Sequence, residues 1–334
     1  MTTLTWPLAR HGVIEVLTSD PLIFSSGLET QIARVILEPL ASFRSTKPTP
    51  HVLVIDGLDE CLIDQQGEIL QIIPSLCKTF CWLKILIVGR PDPTVRYSFK
   101  DQNLLNITEQ ISLADDPDAE DDIRQYLTNR FSRIRATLPV APEEDWPSKA
   151  DLDLIIRKAS DQFILPATVC RYVGSSTQPH RAQSRLNTII SSLKNRTTNG
   201  RENPLAEVHA LYAFIFSVAH APSLAVQFAG TCLVYPIFLG APSPIDVQRI
   251  LNISKVEARE LLDELASLFE VVDSVRSTSE PCIRHFHASL GDYLFDQSCS
   301  KEFWCSEGEV RAHIATARIR QFEVGMYHFT LYSA

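Results

Sequence analysis

Residues 51–61 of this 334-residue chain read HVLVIDGLDEC, and residues 83–93 read LKILIVGRPDP. The first segment begins with an apolar run, Val52 to Ile55, which ends abruptly at Asp56 and is followed by Asp59 and Glu60. A continuous run of β-branched residues and leucine is typical of a strand buried on both faces of a parallel sheet. Acidic side chains just past such a strand lie at the carboxyl edge of the sheet, where open α/β folds bind ligands. One carboxylate there can hold Mg²⁺, and a second can orient a water molecule for attack on a phosphate.

The two segments together resemble the Walker B strand and the next strand of a P-loop NTPase, most closely the NACHT domains of fungal STAND NTPases, which are NOD-like signalling ATPases. Four further stretches extend the resemblance over about residues 15–320: DPLIFSSGLETQIARVILEPL, AEDDIRQYLTNRF, IIRKASDQFILPATVCRYV and PCIRHFHASLGDYLFD. The implied fold is an α/β partial P-loop NTPase core, followed by a mostly α-helical lid and a winged-helix domain.

Four regions follow from this resemblance and from local patterns. Residues 1–110 are expected to form the partial NACHT core, 111–200 the helical lid, 205–300 the winged-helix domain and 301–334 a C-terminal helical tail. The polar stretch Thr197–Pro204 lacks periodicity and predicts a linker. An apolar stripe predicts a helix over about 67–80, packed on the sheet.

The second half of the chain carries several local structure signals. Ser243 with Pro244 and Asp246 predicts one helix start, and Ser254 with Glu257 predicts another. Residues 269–272 and 282–286 are expected to be strands of a hairpin. The long apolar tract from 211 to 239 is broken by prolines, so it predicts two buried helices rather than a membrane span.

The resemblance implies a role for each of five residues. Asp56 is the carboxylate that holds Mg²⁺, and Asp59 and Glu60 are the pair that polarises the attacking water. Arg90 is the sensor arginine that reaches the γ-phosphate, for which its forked donors are suited. His287 is the winged-helix histidine that contacts the bound diphosphate.

Each of these residues also has a purely structural interpretation. Asp56 could cap the segment after the strand, and the acidic pair could be a solvated turn. Arg90 could form an ion pair with a neighbouring acid. A lone histidine near an apolar hairpin is more often packed and hydrogen bonded, which applies to His287.

One expected part of the family pattern does not occur in the sequence. Members carry a Walker A loop, GxxGxGK[ST], upstream of Walker B, and the region before Leu22 is expected to be too short for it. The resemblance implies Mg²⁺ and ATP or GTP as cofactors, but without this loop the β- and γ-phosphates have no cradle. We therefore expect an incomplete nucleotide-dependent signalling switch, inactive as an enzyme. The alternatives are a nucleotide-free fragment that docks on full-length relatives, and an ATPase with an unconventional phosphate site.

Composition and charge indicate which binding partners and which cellular location to expect. A net charge of −9 disfavours nonspecific nucleic-acid binding and a basic membrane patch. The helix after Ser254 carries acidic residues that would repel DNA. Eight scattered cysteines without paired ligand spacing predict reduced structural thiols and a cytoplasmic location. The expected partners are proteins or further copies of the same chain.

Overall fold

The computed structural model describes residues 7–41, 51–90, 92–113, 118–138, 146–175, 179–195, 205–236, 240–272 and 281–331. Its contacts divide the chain into two compact units, Met1–Ser112 and Leu113–Ala334. The described part is mostly helical, with one small parallel sheet and one antiparallel hairpin. The predicted linker at 197–204 and the end of the long apolar tract at 237–239 lie outside the described residues.

In the first unit, a strand–helix–strand segment follows several helices along the chain. In chain order its elements are α1 (Pro7–Ser19), α2 (Leu28–Ile32), a π-helical turn (Ala33–Leu37), α3 (Glu38–Ala41), β1 (His51–Asp56), α4 (Ile63–Thr79), β2 (Leu83–Val88), α5 (Pro93–Ser98) and α6 (Gln102–Leu105). The strands β1 and β2 pair in parallel, with Val54 opposite Leu86. The prediction of two strands joined by an apolar-striped helix is confirmed, with α4 beginning about a turn earlier than expected.

One face of this sheet is packed and the other is exposed. Leu53, Ile55, Ile85 and Ile87 join the cluster formed by the buried side chains of α4, which include Leu70, Ile73 and Leu76. On the opposite face, the exposed fractions are 62% for Val52, 46% for Val54, 50% for Leu86 and 40% for Val88. The prediction that the Val52–Ile55 strand is buried on both faces is therefore wrong, and β2 is exposed on the same face of the sheet. Among the described residues, the apolar side chains that pack on this two-stranded sheet, mainly those of α4, cover one face, and the other face stays exposed.

The second unit begins with a helical bundle that fits the predicted helical lid. Its helices are α7 (Ala119–Thr137), α8 (Lys149–Ala159), α9 (Ile164–Gly174) and α10 (Pro179–Lys194). Helix α9 contacts each of the other three. Its central position explains why most of its side chains are buried, because neighbours surround it on several sides.

The remainder of the second unit surrounds the hairpin with helices. Its elements are α11 (Ala206–Ser217), α12 (Pro222–Val234), α13 (Pro244–Leu251), α14 (Lys255–Glu264), β3 (Phe269–Val272), β4 (Cys282–His285), α15 (Ser289–Phe295), α16 (Gln297–Ser300) and α17 (Glu307–Leu331). Both predicted helix starts are confirmed, because Ser243 and Ser254 each form a capping box. The hairpin is also confirmed, with Phe269 opposite His285 in an antiparallel pair.

The eight cysteines are all free thiols, as expected. Cys170, Cys232 and Cys305 are buried, whereas Cys81 is exposed. Burial raises the pKa of the Cys170 thiol to about 12, which keeps it protonated and unreactive. Across the part of the chain that the structure describes, no helix has the length and apolar character needed to cross a membrane.

Candidate functional site

The acidic segment predicted from the sequence forms a tight turn at the carboxyl end of β1. Asp56 is the last residue of the strand and is exposed. Gly57 has a φ of 73°, a conformation that glycine adopts at little cost, and its N–H donates to the carbonyl of Val88 over 2.9 Å. A single 3₁₀ turn, Leu58–Glu60, follows, and Leu58 anchors it in the core with 1% of its surface exposed. The turn therefore lies beside the end of β2, with Asp56 before it and Asp59 and Glu60 within it.

Arg90 follows β2 at the same edge and is bound to Asp59. Its Nε donates to Asp59 Oδ2 over 2.7 Å, and its backbone N–H donates to Asp59 Oδ1 over 3.1 Å. The Asp59 side chain is 6% exposed, whereas that of Arg90 is 55% exposed. Of the two interpretations of Arg90, the ion pair with a neighbouring acid is the one present in the structure. Both carboxylate oxygens of Asp59 therefore accept hydrogen bonds from Arg90.

Gly89 leaves room for the Asp59 carboxylate, a role that was not predicted from the sequence. A Cβ atom at this position would lie 2.9 Å from Asp59 Oδ1, closer than side chains tolerate. The absence of a side chain at residue 89 therefore leaves room for the Asp59 carboxylate, whereas the backbone nitrogens of Leu58 and Asp59 would lie 3.5 Å from that Cβ atom, an ordinary contact distance. The glycine between an apolar strand and an arginine was the sequence signal that could have indicated such an approach.

The ionisation of Asp59 reflects two opposing effects. Burial alone would raise the pKa of its carboxyl group, but the hydrogen bonds and positive charge from Arg90 outweigh burial and lower the pKa below its ordinary value. A carboxyl group with a lowered folded-state pKa stabilises the fold above its unfolded pKa of about 4. That contribution disappears as the pH falls through the folded-state value.

We expect Asp59→Asn to weaken the connection between the two loops and to make it less sensitive to acid. The substitution removes the charged partner of Arg90, so the free energy of opening β1 and β2 should fall by about 1 kcal/mol at neutral pH. The wild-type chain should lose the same amount on acidification, whereas the variant should not. Amide hydrogen exchange of 51–60 and 83–90, measured at neutral and acidic pH, checks this expectation.

Glu68→Gln is the matched control, because Glu68 is an exposed carboxylate on α4 in the same unit. Equal acid sensitivity in Asp59→Asn and Glu68→Gln would contradict a stabilising role for the pair.

Asp56 and Glu60 remain as carboxylates at an accessible edge. Both are exposed, and the Glu60 side chain folds back over Gly57, where an added Cβ atom would lie 3.2 Å from its Cδ. Mg²⁺ in phosphate sites commonly takes one or two protein carboxylates together with water and phosphate oxygens. Asp56 can supply such a carboxylate. No group of three or more His, Cys, Asp or Glu residues suited to a metal occurs in the described ranges, so this edge is not an all-protein metal cage.

His287 lies in the second unit, between β4 and α15, and its ring is held by hydrogen bonds. Its Nδ1 accepts from the backbone N–H of Ser289 over 3.1 Å and lies 2.7 Å from the Ser289 hydroxyl oxygen. That hydroxyl oxygen lies 2.9 Å from the hydroxyl oxygen of buried Tyr212. The imidazole thus satisfies a donor at the start of α15, as the structural interpretation of this residue expected, while much of the residue stays exposed.

Arg171 is a charged residue in the largely apolar helix α9, and no role was predicted for it from the sequence. Its guanidinium carbon lies 3.9 Å from the centroid of the Phe286 ring. Arg171 is half-buried, and the charged residue within the run ILPATVCRYV was the available sequence signal.

Comparison with known proteins gives one partial match. No curated protein and no solved structure matches the chain. A sequence model of the family described as Nephrocystin 3, N-terminal, matches residues 7–90. This segment includes both strands of the parallel sheet and ends at Arg90, so it contains the whole acidic turn and its arginine. The first unit is therefore similar to the N-terminal region of the Nephrocystin 3 family.

Proposed function

We propose that this chain is an incomplete NACHT-type STAND protein, a nucleotide-dependent signalling switch whose own nucleotide binding is impaired. One observation carries the proposal: the two parallel strands end side by side, with Asp56 at the end of the first, Glu60 in the turn after it and Arg90 after the second. An edge of this kind, with acids on one strand and an arginine on its neighbour, suits a magnesium-bound phosphate group. The family match at residues 7–90 includes this edge.

In this proposal each residue of the edge has a defined task. Asp56 holds the Mg²⁺ side of the ligand, and Glu60 orients the attacking water. Asp59 acts as a positioning residue, because its contact with Arg90 Nε fixes the guanidinium at the carboxyl edge. When bound, Mg²⁺ would neutralise part of the phosphate charge. His287 would report on the ligand from the winged-helix domain of the second unit.

Under the same proposal the protein is a signalling switch that acts through protein partners, and it is not a metabolic enzyme. Nucleotide exchange in a complete switch drives opening and assembly, so we expect other proteins or further copies of this chain as partners. The free thiols suit a reducing compartment, for which we propose the cytoplasm.

The purified chain should bind Mg-ATP with a dissociation constant of about 1 mM or weaker, worth only about 4 kcal/mol. The reason is that no G-x-x-x-x-G-K pattern occurs in its sequence, and such a loop supplies the amides and the lysine that neutralise the phosphates. Isothermal titration calorimetry of the chain, with and without Mg²⁺, measures this constant.

The matched experiment fuses a Walker A segment from a NACHT protein ahead of Met1. The fusion should gain Mg-dependent affinity, and replacing its Walker A lysine by alanine should remove that gain. A folded fusion without any gain would contradict the proposal, and low-micromolar binding by the unmodified chain would contradict the assignment of an incomplete site.

A nucleotide-free interaction module is the second candidate, and a different observation favours it. The exposed apolar sheet face of Val52, Val54, Leu86 and Val88 is a surface that isolated soluble proteins rarely leave open. In this candidate the first unit serves as a protein-binding surface and the acidic turn has a structural role only.

A further inference from the structure

A cleft in the second unit has the volume of a small-molecule binding site. It lies between the start of α12, the turn that precedes α17 and the first two turns of α17, and its volume is about 380 Å³. Ligand pockets in proteins commonly occupy roughly 300–1,000 Å³. The proposed function uses none of the residues that line this cleft.

The base of the cleft is formed where α12 packs closely against the start of α17. A Cβ atom added to Gly230 would lie 2.7 Å from Cys305 Sγ and 3.2 Å from Val310 Cγ2, so a side chain there would disturb this packing. Val226, about one turn earlier on α12, is buried together with Cys305 and Val310, and all three line the cleft. The cleft therefore has a packed, apolar base.

The polar part of the lining carries uncompensated negative charge. It includes Glu302 and Glu309 but no lysine or arginine. Both glutamates are exposed, and neither has an ion-pair partner among the described residues. Arg311, the cation nearest to Glu309 along α17, pairs with Glu307 instead. Two carboxylates without a paired base attract a cation.

The charges of both glutamates also act on buried groups near the cleft. Burial is the main cause that raises the pKa of the Cys305 thiol to about 11, and the negative charge of Glu309 contributes to the rise. Burial likewise raises the pKa of the Tyr293 phenol, and the charge of Glu302 adds to that shift. No positive group lowers either pKa, so no cation of the described chain offsets the two carboxylates at these positions.

Trp304 adds an aromatic surface to the same lining. It is 42% exposed, and its indole N–H donates to the carbonyl of Phe295 over 3.3 Å, which fixes the ring while leaving much of it open. Tryptophan is the aromatic side chain that attracts cations most strongly. The structure shows no group of three or more metal-ligating side chains among the residues it describes, so a metal ion is a poor occupant.

We propose that this cleft binds an organic cation, an ammonium or guanidinium group on an apolar body. Glu302 and Glu309 supply the charge, Trp304 supplies the aromatic surface, and Val226 and Val310 contact the apolar body. The cleft lies wholly within the second unit, so this binding does not depend on nucleotide binding by the first.

The test is titration of the full chain with benzylammonium and with benzyl alcohol, its uncharged analogue, followed by ligand-observed NMR. Benzylammonium should bind with a dissociation constant of about 1 mM. Benzyl alcohol should bind at least about threefold more weakly, because it keeps the apolar body but has no charge for the carboxylates and the indole.

Two sets of variants assign the binding to this cleft. Glu302→Gln with Glu309→Gln should weaken benzylammonium binding by about fivefold and leave benzyl alcohol binding unchanged. Trp304→Leu should weaken benzylammonium binding by about threefold. Glu260→Gln with Asp263→Asn is the matched control, because it removes two exposed carboxylates of α14 that do not line the cleft. This control should bind benzylammonium as the wild-type chain does.

Three results would overturn the proposal. The first is that benzylammonium does not bind at concentrations up to about 10 mM. The second is that benzyl alcohol binds as tightly as benzylammonium. The third is that the glutamate variant and the control variant bind benzylammonium equally well, which would mean that the overall negative charge of the chain attracts the cation.

Two further probes identify the source of the cation, and either result supports the site. Butylguanidinium and Nα-acetylarginine methylamide carry the same charged group on a similar stem, and they differ by the peptide backbone of the second. Tighter binding of the arginine derivative would indicate a basic side chain of a protein partner. Tighter binding of butylguanidinium would indicate a free small cation.

Discussion

Glu60→Gln should lower ATP turnover by about 10²–10⁴-fold in a chain whose Walker A segment has been restored, while ATP remains bound. Glu60 lies exposed at the turn after β1, where a carboxylate can orient water without holding the metal. The amide of glutamine keeps the shape of the side chain but cannot accept the proton in the same way. Steady-state hydrolysis and nucleotide binding, measured on the same fusion protein, separate the two effects.

Asp56→Asn should behave differently in the same fusion. Since Asp56 ends the strand and is the proposed Mg²⁺-side carboxylate, its loss should weaken Mg-dependent binding itself. In the unmodified chain neither substitution should change an ATPase assay, because no activity is expected there. If the unmodified chain hydrolyses ATP and Glu60→Gln abolishes it, the incomplete-site interpretation is wrong and a working ATPase replaces it.

The contact between Asp59 and Arg90 adds a further comparison in that fusion. If Asp59 acts through Arg90, the double variant Asp59→Asn with Arg90→Met should be no slower than the slower single variant. Fully additive losses would instead indicate that Asp59 acts on the water independently.

The purified chain should self-associate at about tens of micromolar, and Val54→Lys with Leu86→Lys should restore a monomer. Both side chains are half exposed on the unpacked face of the sheet, so the lysines should cost little stability. The same face has Lys84 beside Val52 at one end and Asp56 beside Val88 at the other. Two copies stacked antiparallel would therefore bring opposite charges together over an apolar centre. Light scattering with chromatography measures the mass, and thermal unfolding checks the fold.

Val256→Lys with Val271→Lys is the control for added charge. These two valines are similarly exposed but lie in the second unit, at 65% and 47%. The control pair should leave the association unchanged. A wild-type chain that stays monomeric at about tens of micromolar would count against an associating sheet face.

Local features of the chain were predicted well because their causes are local. The capping boxes at Ser243 and Ser254 depend on residues three positions apart. The apolar stripe of α4 likewise acts over a few residues. The carboxyl edge was also predictable, because parallel strands joined by a helix end on the same side.

The sequence by itself thus determined the order of strands and helices, the helix starts and the placement of Asp56, Asp59, Glu60 and Arg90 at one edge. Only the tertiary structure decided which of these side chains form an ion pair with each other. Asp59 and Arg90 are 31 positions apart, and their pairing depends on how the ends of two strands meet, with Gly89 leaving room for the Asp59 carboxylate. An apolar run such as Val52 to Ile55 likewise carries no information on how many layers will cover it. Burial and ion pairing are properties of neighbours in space, and a periodic pattern records only what one segment can offer to them.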